Sequence, residues 1–178
     1  NLKIDIISSS PQIIRGEIQK LNIIAEDVNY KDLIFEEVSL EANRLKINFK
    51  LKNKELYFNN TQTINFKISF SPNSLRKVLL STNWNWIEHM ISKEVLNQEK
   101  LDDILIKDGG LIMKVNKREN EVNELVTINI KTEKGKIYLE NKVYKNTIQI
   151  PVEDKIYVEN VNIENNLINI FAKSFISF

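Results

Sequence analysis

Most of the chain alternates between apolar and polar positions. From Asn1 to Ile7, Leu2, Ile4 and Ile6 stand against Lys3 and Asp5, the period-two pattern of a half-buried strand. Ser8–Pro11 is a break. A second extended run from Glu17 to Tyr30 carries Leu21, Ile23 and Ala25 on one face, with a turn at Asn29–Asp32. Thr61–Phe70 is a further strand, with Ile64, Phe66, Ile68 and Phe70 on one face.

One stretch departs from this period. Between Ser71 and Leu96, the residues Leu75, Val78, Leu79, Ile87, Met90 and Ile91 recur at three- and four-residue intervals, which places them on one stripe of an α-helix. Ser71-Pro72 is a start signal: the serine oxygen accepts from an orphan N–H, and proline at the first helical position has none to leave unpaired. Ser81-Thr82-Asn83 favours caps over helix interior. The pattern predicts two helices, about Pro72–Leu80 and Trp84–Leu96, with a bend between them.

Turn residues divide the remainder into hairpins. Asp108-Gly109 is a type I′ signal within Ile104–Val115, placing Ile106 opposite Leu111 and Asp103 opposite Lys114. Lys134-Gly135 turns Val126–Val143, pairing Ile130 with Leu139 and Glu133 with Lys136. Asn165-Asn166 turns Ile156–Ala172, pairing Ile163 with Ile168 and Val161 with Ile170. Pro151 makes the run before it an edge or a crossing. In Leu33–Asn53 the apolar parity flips at Asn43-Arg44, from Val38, Leu40 and Ala42 to Leu45, Ile47, Phe49 and Leu51. A two-residue turn there explains the flip and sets Glu41 opposite Lys46 and Glu37 opposite Lys50. A bulge in one long strand is the competing explanation.

The fold class predicted is α+β: a strongly curved antiparallel sheet, a meander of hairpins, wrapped around a bent helical segment in a single domain spanning residues 1–178. One helical pair cannot cover so many half-apolar strands. The sheet must curl around the helices, fold onto itself, or offer an apolar trough to a ligand.

Composition then narrows the function classes. Lys+Arg number 25 against 24 Asp+Glu, a balance unlike that of a nucleic-acid-binding domain. With no cysteine there is no disulfide framework, thiolate nucleophile or Cys-based metal site. No run approaches the ~18 apolar residues of a transmembrane helix. The sequence begins at Asn1 rather than Met, which leaves room for an upstream signal or anchor.

Candidate chemistry is sparse. His89 is the only histidine and has no partner at ligand spacing, so it reads as a surface side chain. Asp102, Asp103 and Asp108 lack the spacing of a calcium loop, and Gly109-Gly110 sits in a hairpin rather than a phosphate loop. Arg44, Lys46, Lys50, Lys52 and Lys54 share a strand face, either a strip for anionic headgroups or a solvated outer face. Trp84 and Trp86, two residues apart, cannot share one helical face; one packs inward, and the other is a partly covered neighbour or an interfacial anchor.

The order of these pieces resembles the LmeA-like family of bacterial phospholipid-binding proteins, whose fold is similar to one half of the tubular lipid-binding (TULIP) proteins. The resemblance runs through RGEIQKLNIIAEDVNYKDLIFEEVSLEANRLKINF and SPNSLRKVLLS, and resumes in KIYVENVNIENNLINIFAKS, about two-thirds of the chain. It rests on hydrophobic spacing and turn residues, with no catalytic signature. Family members often carry a second helix before the final hairpin; here Tyr144–Ile156 is too short and too β-like to hold one.

The resemblance implies a non-enzymatic lipid carrier or sensor at the cell envelope or membrane periphery, with lipid or a membrane surface as partner and no nucleic acid, cofactor or metal. An acyl chain needs only apolar surface, at ~0.8 kcal/mol per buried CH₂. The lining expected is Leu75, Val78, Leu79, Ile87, Met90 and Ile91 from the helices, with Ile47, Phe49, Phe66 and Ile68 from the sheet. The alternative is a protein–protein interaction module with a fully packed core. The sequence does not set the oligomeric state.

Overall fold

A computed structural model describes residues 1–50, 55–58, 62–97, 100–116 and 123–176, without the side chains of residues 49, 50, 55–58, 62, 123 and 176. The described chain is α+β, with antiparallel strands in two sheets and three helices. The first sheet begins as a meander. Strands β1 (Leu2–Ile7), β2 (Glu17–Tyr30) and β3 (Leu33–Lys50) pair in order, with the short helix α1 (Ser10–Ile14) between β1 and β2. Strand β3 is long enough to hold two partners besides β2. Its first half pairs with β5 (Gln62–Phe70) and its far end with β4 (Glu55–Phe58).

Helices α2 (Pro72–Leu80) and α3 (Asn85–Glu94) follow, as the helical period and the Ser71-Pro72 start predict. Strands β6 (Lys100–Lys107), β7 (Gly110–Asn116), β8 (Asn123–Glu133), β9 (Lys136–Asn141) and β10 (Asn146–Ile150) then form a separate five-stranded meander. The chain returns to the first sheet through the hairpin of β11 (Ile156–Glu164) and β12 (Leu167–Ile176), with β12 against β5.

The three expected hairpins form in the expected register. Ile106 faces Leu111, Ile130 faces Leu139, and Ile163 faces Ile168. Their turn residues Asp108, Gly109, Lys134, Gly135, Asn165 and Asn166 all have positive φ, as two-residue type I′ turns require. The segment Tyr144–Ile156 holds β10, an edge strand ending at Ile150 just before Pro151, in place of a helix.

The turn at Asn43-Arg44 does not form. The chain runs straight on as β3, and Arg44 takes φ 55 inside the strand. The β2–β3 ladder skips the Gln19–Arg44 pair and resumes at Ile18–Leu45 in the same register. One left-handed residue therefore flips the parity without reversing the chain, so that Ala42 and Leu45 are both buried. The charge pairs change accordingly: Glu41 meets Lys20 at 2.8 Å, Glu37 meets Lys67 at 3.0 Å, and Lys46 meets Glu17 at 3.5 Å. Strand β1 has the expected alternation but not the burial, since Leu2, Ile4 and Ile6 are more than half exposed at the sheet edge.

The main core lies between α2–α3 and the second sheet, centred on Val95, Leu96, Leu111, Met113, Val115 and Ile128. A smaller one, Ile137, Val158 and Ala172, joins the sheets where the β8–β9 turn meets β11. There Val158 donates its backbone N–H to the Gly135 carbonyl at 3.0 Å.

Candidate apolar ligand site

Three polar ties hold the helices between the sheets. At the start of α2, Ser71 Oγ accepts from the Ser74 N–H at 3.1 Å, and Ser74 Oγ donates to Glu36 Oε1 on β3 at 2.6 Å. Hydrogen bonds from Ser71 and Ser74, with Lys77 nearby, hold the Glu36 carboxyl below its ordinary value of 4.5, against a smaller upward push from burial. At the bend, Trp84 Nε1 donates to the Lys31 carbonyl at 2.6 Å and Asn83 Nδ2 to Asp32 Oδ2 at 2.7 Å, both in the β2–β3 turn. At the end of α3, fully buried Asn141 on β9 donates Nδ2 to the Val95 carbonyl at 3.1 Å. Only the Ser71 cap has a local sequence signal. The partners Glu36, Lys31 and Asn141 are distant in sequence, and a lone asparagine at a strand end reads as an ordinary turn residue.

Held this way, the apolar stripe of the helices does not close fully onto the sheets. A cavity of about 180 Å³ remains. Leu75, Val78 and Leu79 of α2 and Ile87 and Ile91 of α3 form one wall. Phe70, Val161, Ile168 and Ile170 of the first sheet form a second wall, and Met113, Ile130 and Leu139 stand on the second-sheet side. Every lining side chain is apolar.

The first sheet extends this apolar surface well beyond the cavity. Its ladders align rows of side chains that cross all six strands of the β1–β11 path. One row is Leu2, Ala25, Val38, Ile68, Ile170 and Val161; the next is Ile4, Ile23, Leu40, Phe66, Ala172 and Val158. The second sheet meets this face at β11, so burial falls along the second row toward β1. Ala172 and Val158 are each 2% exposed, Phe66, Leu40 and Ile23 are half-buried, and Ile4 is 54% exposed. The half of the face toward β1 is thus an only partly covered apolar surface, a trough whose exposed end at Leu2 and Ile4 is a feature that soluble monomers rarely carry without a use.

Of the residues expected to line a slot, Leu75, Val78, Leu79, Ile87 and Ile91 surround the cavity. Phe66 and Ile68 stand in the trough rows that lead away from it. Met90 is half-buried on α3 and does not reach the lining. Ile47 lies apart, beside Ile13, Ile14 and Gly16 in a separate depression. The side chain of Phe49 lies outside the described residues. Sequence reasoning missed the contribution of β11, β12 and the second sheet, which only long-range pairing reveals.

The remaining candidates are dispersed. His89 is exposed beside Glu88, its Nδ1 3.3 Å from Glu88 Oε2. Trp84 is half-buried and Trp86 exposed. Asp102 pairs with Lys114 at 2.9 Å, Asp103 lies 3.6 Å from Arg76, and Asp108 belongs to its turn. Arg44 is exposed and Lys46 pairs with Glu17, while Lys52, Lys54 and the Lys50 side chain lie outside the described residues. Among the described residues no titratable group lines the cavity, and the walls these residues form offer dispersion and desolvation. No protein-family model, curated protein or solved structure matches the chain.

Proposed function

We propose that this protein binds lipid acyl chains without transforming them, with the chain end in the cavity and the rest along the trough. The observation that carries the proposal is the wholly apolar cavity, whose lining residues Val161 and Ile170 stand in a row of apolar side chains that leads out to the exposed Leu2. The finer fold reading, a curved TULIP-like half-domain of the LmeA-like kind serving the envelope or a membrane surface, belongs to the same proposal. Its support is the helix pair held between the sheets and the final strand–turn–strand.

Size sets the terms. An apolar cavity of ~150 Å³ admits benzene, so 180 Å³ has room for roughly six carbons. At ~0.8 kcal/mol per methylene these give roughly 5 kcal/mol, a dissociation constant near the millimolar range. Tighter binding requires the trough. A packed interaction module is the weaker reading, because it leaves the void without a role.

A chain-length series tests the proposal. Affinity for saturated fatty acids of eight, twelve and sixteen carbons is expected to rise by roughly two- to fourfold per added methylene. A plateau after the first few carbons would remove the trough from the site. Native mass spectra at the bare chain mass, together with no uptake of a fluorescent fatty acid, would remove the ligand altogether.

A further inference from the structure

We propose that the open edge of β1 is a homodimer interface, in which two copies pair their β1 strands antiparallel about a two-fold axis at Ile4.

The backbone sets the phase. Glu26 donates its N–H to the Asn1 carbonyl at 2.9 Å, and the Asn1 amino group returns to the Glu26 carbonyl at 3.5 Å. Asn1–Glu26 is therefore a hydrogen-bonded pair. In an antiparallel ladder such pairs alternate with non-bonded ones. With the register Leu2–Ala25 through Ile7–Lys20, Lys3, Asp5 and Ile7 turn their backbone groups toward β2. Leu2, Ile4 and Ile6 turn theirs to the open edge, where no strand among the described residues pairs with them.

The side chains match a second copy in that phase. With Ile4 opposite Ile4 of the other copy, Leu2 falls opposite Ile6, and the outward N–H and C=O groups of all three meet complementary groups. On the apolar face, the exposed Leu2, Ile4 and Ile6 continue the rows of the trough into those of the second copy. On the polar face, Lys3 falls opposite Asp5 and Asp5 opposite Lys3. Within one chain these two already lie 3.1 Å apart on the same face. They would exchange that contact for one across the axis, at non-hydrogen-bonded positions where side chains approach closely.

Edges that must stay single are usually blunted by very short strands, unpaired lysines, bulges, proline, inward charges or a covering loop. Strand β11, at the far end of the sheet, has two of these, a bulge at Glu159 and the β8–β9 turn against Val158. Strand β1 has no bulge and no proline, its ladder is uninterrupted, and its two charges are self-complementary.

Sedimentation equilibrium of the full chain tests this. The wild type is expected to show a concentration-dependent species of twice 20.8 kDa. Lys3→Asp and Asp5→Lys each place like charges opposite one another twice, and each is expected to weaken the dimer on the order of tenfold. The double variant Lys3→Asp/Asp5→Lys restores opposite charges across the axis and is expected to recover wild-type association within about threefold. Ile4→Lys is expected to leave a folded monomer, with an unchanged circular dichroism spectrum. A wild type that is monomeric at all concentrations overturns the proposal, and so does a dimer indifferent to both single charge reversals. A monomer that binds phosphatidylglycerol vesicles through the same Ile4 overturns it in favour of a lipid surface.

Discussion

At the scale of single residues, the informative groups are polar ones that hold the greasy elements in place. Glu36 is the first. Its carboxyl is lowered in the fold mainly by hydrogen bonds from Ser71 and Ser74. A lowered carboxyl stabilises the fold above its unfolded value, and that stabilisation is lost as pH falls through the folded value. Glu36→Gln is therefore expected to be less stable than wild type at pH 7, with the difference closing as pH drops below about 4.5. Urea unfolding across pH measures it, and a difference independent of pH would assign the effect to packing instead. Asn141 is the second. Besides the Val95 carbonyl, it serves the N–H groups of Val143 at 2.9 Å and Tyr144 at 3.2 Å through Oδ1. Asn141→Ala removes all three hydrogen bonds. With ~1–3 kcal/mol for each buried unsatisfied group and the turn partly open to water, we expect a loss of about 2–4 kcal/mol in urea unfolding at neutral pH.

At the scale of elements, local signals were legible and long-range partners were not. The hairpins at Asp108-Gly109, Lys134-Gly135 and Asn165-Asn166 could be read because residues that tolerate positive φ sit between runs of matched parity. The same signal misled at Asn43-Arg44. A left-handed residue flips parity whether the chain reverses or runs on, and what keeps β3 running on there is its pairing with β2 on both sides of Arg44. The helix stripe was legible from its period, whereas the sheet walls opposite it depended on where β11 and β12 return. The turns also differ in what surrounds them. Gly109 and Gly135 both have positive φ, but a Cβ on Gly109 meets nothing within 4 Å, while one on Gly135 falls 2.5 Å from the Tyr157 ring on β11. Gly109→Ala is expected to cost only backbone strain, about 1–2 kcal/mol. Gly135→Ala adds a clash at the junction between the sheets and is expected to cost at least about 1 kcal/mol more. Parallel thermal unfolding of the two variants measures the gap, and equal losses would mean that the β8–β9 turn does not bear on β11.

At the scale of the whole molecule, two sheets share helices α2 and α3, and among the described residues the main contacts of these helices and of the second sheet with the first sheet fall on β3 and β11 rather than on β1. Burial therefore grades from Val158 and Ala172 out to Leu2 and Ile4, and the ligand proposed here would cover what the protein leaves open. Such a ligand binds the folded state and not the unfolded chain, so it must raise the melting temperature. At a free concentration of one hundred times its dissociation constant, the gain is about 2.7 kcal/mol. For a chain of this length that corresponds to a rise of roughly 5–11 °C. Val78 separates this from non-specific detergent-like effects, because it lines the cavity and is itself 2% exposed. In a solidly packed core, Val78→Phe would overpack and lower stability by about 1–3 kcal/mol. Beside a void of about 180 Å³, the added ring has space to enter. We therefore expect Val78→Phe to melt no lower than wild type without ligand and to lose most of the fatty-acid-induced rise. A variant that is destabilised yet still shifted by fatty acid would place the ligand elsewhere, on the trough alone.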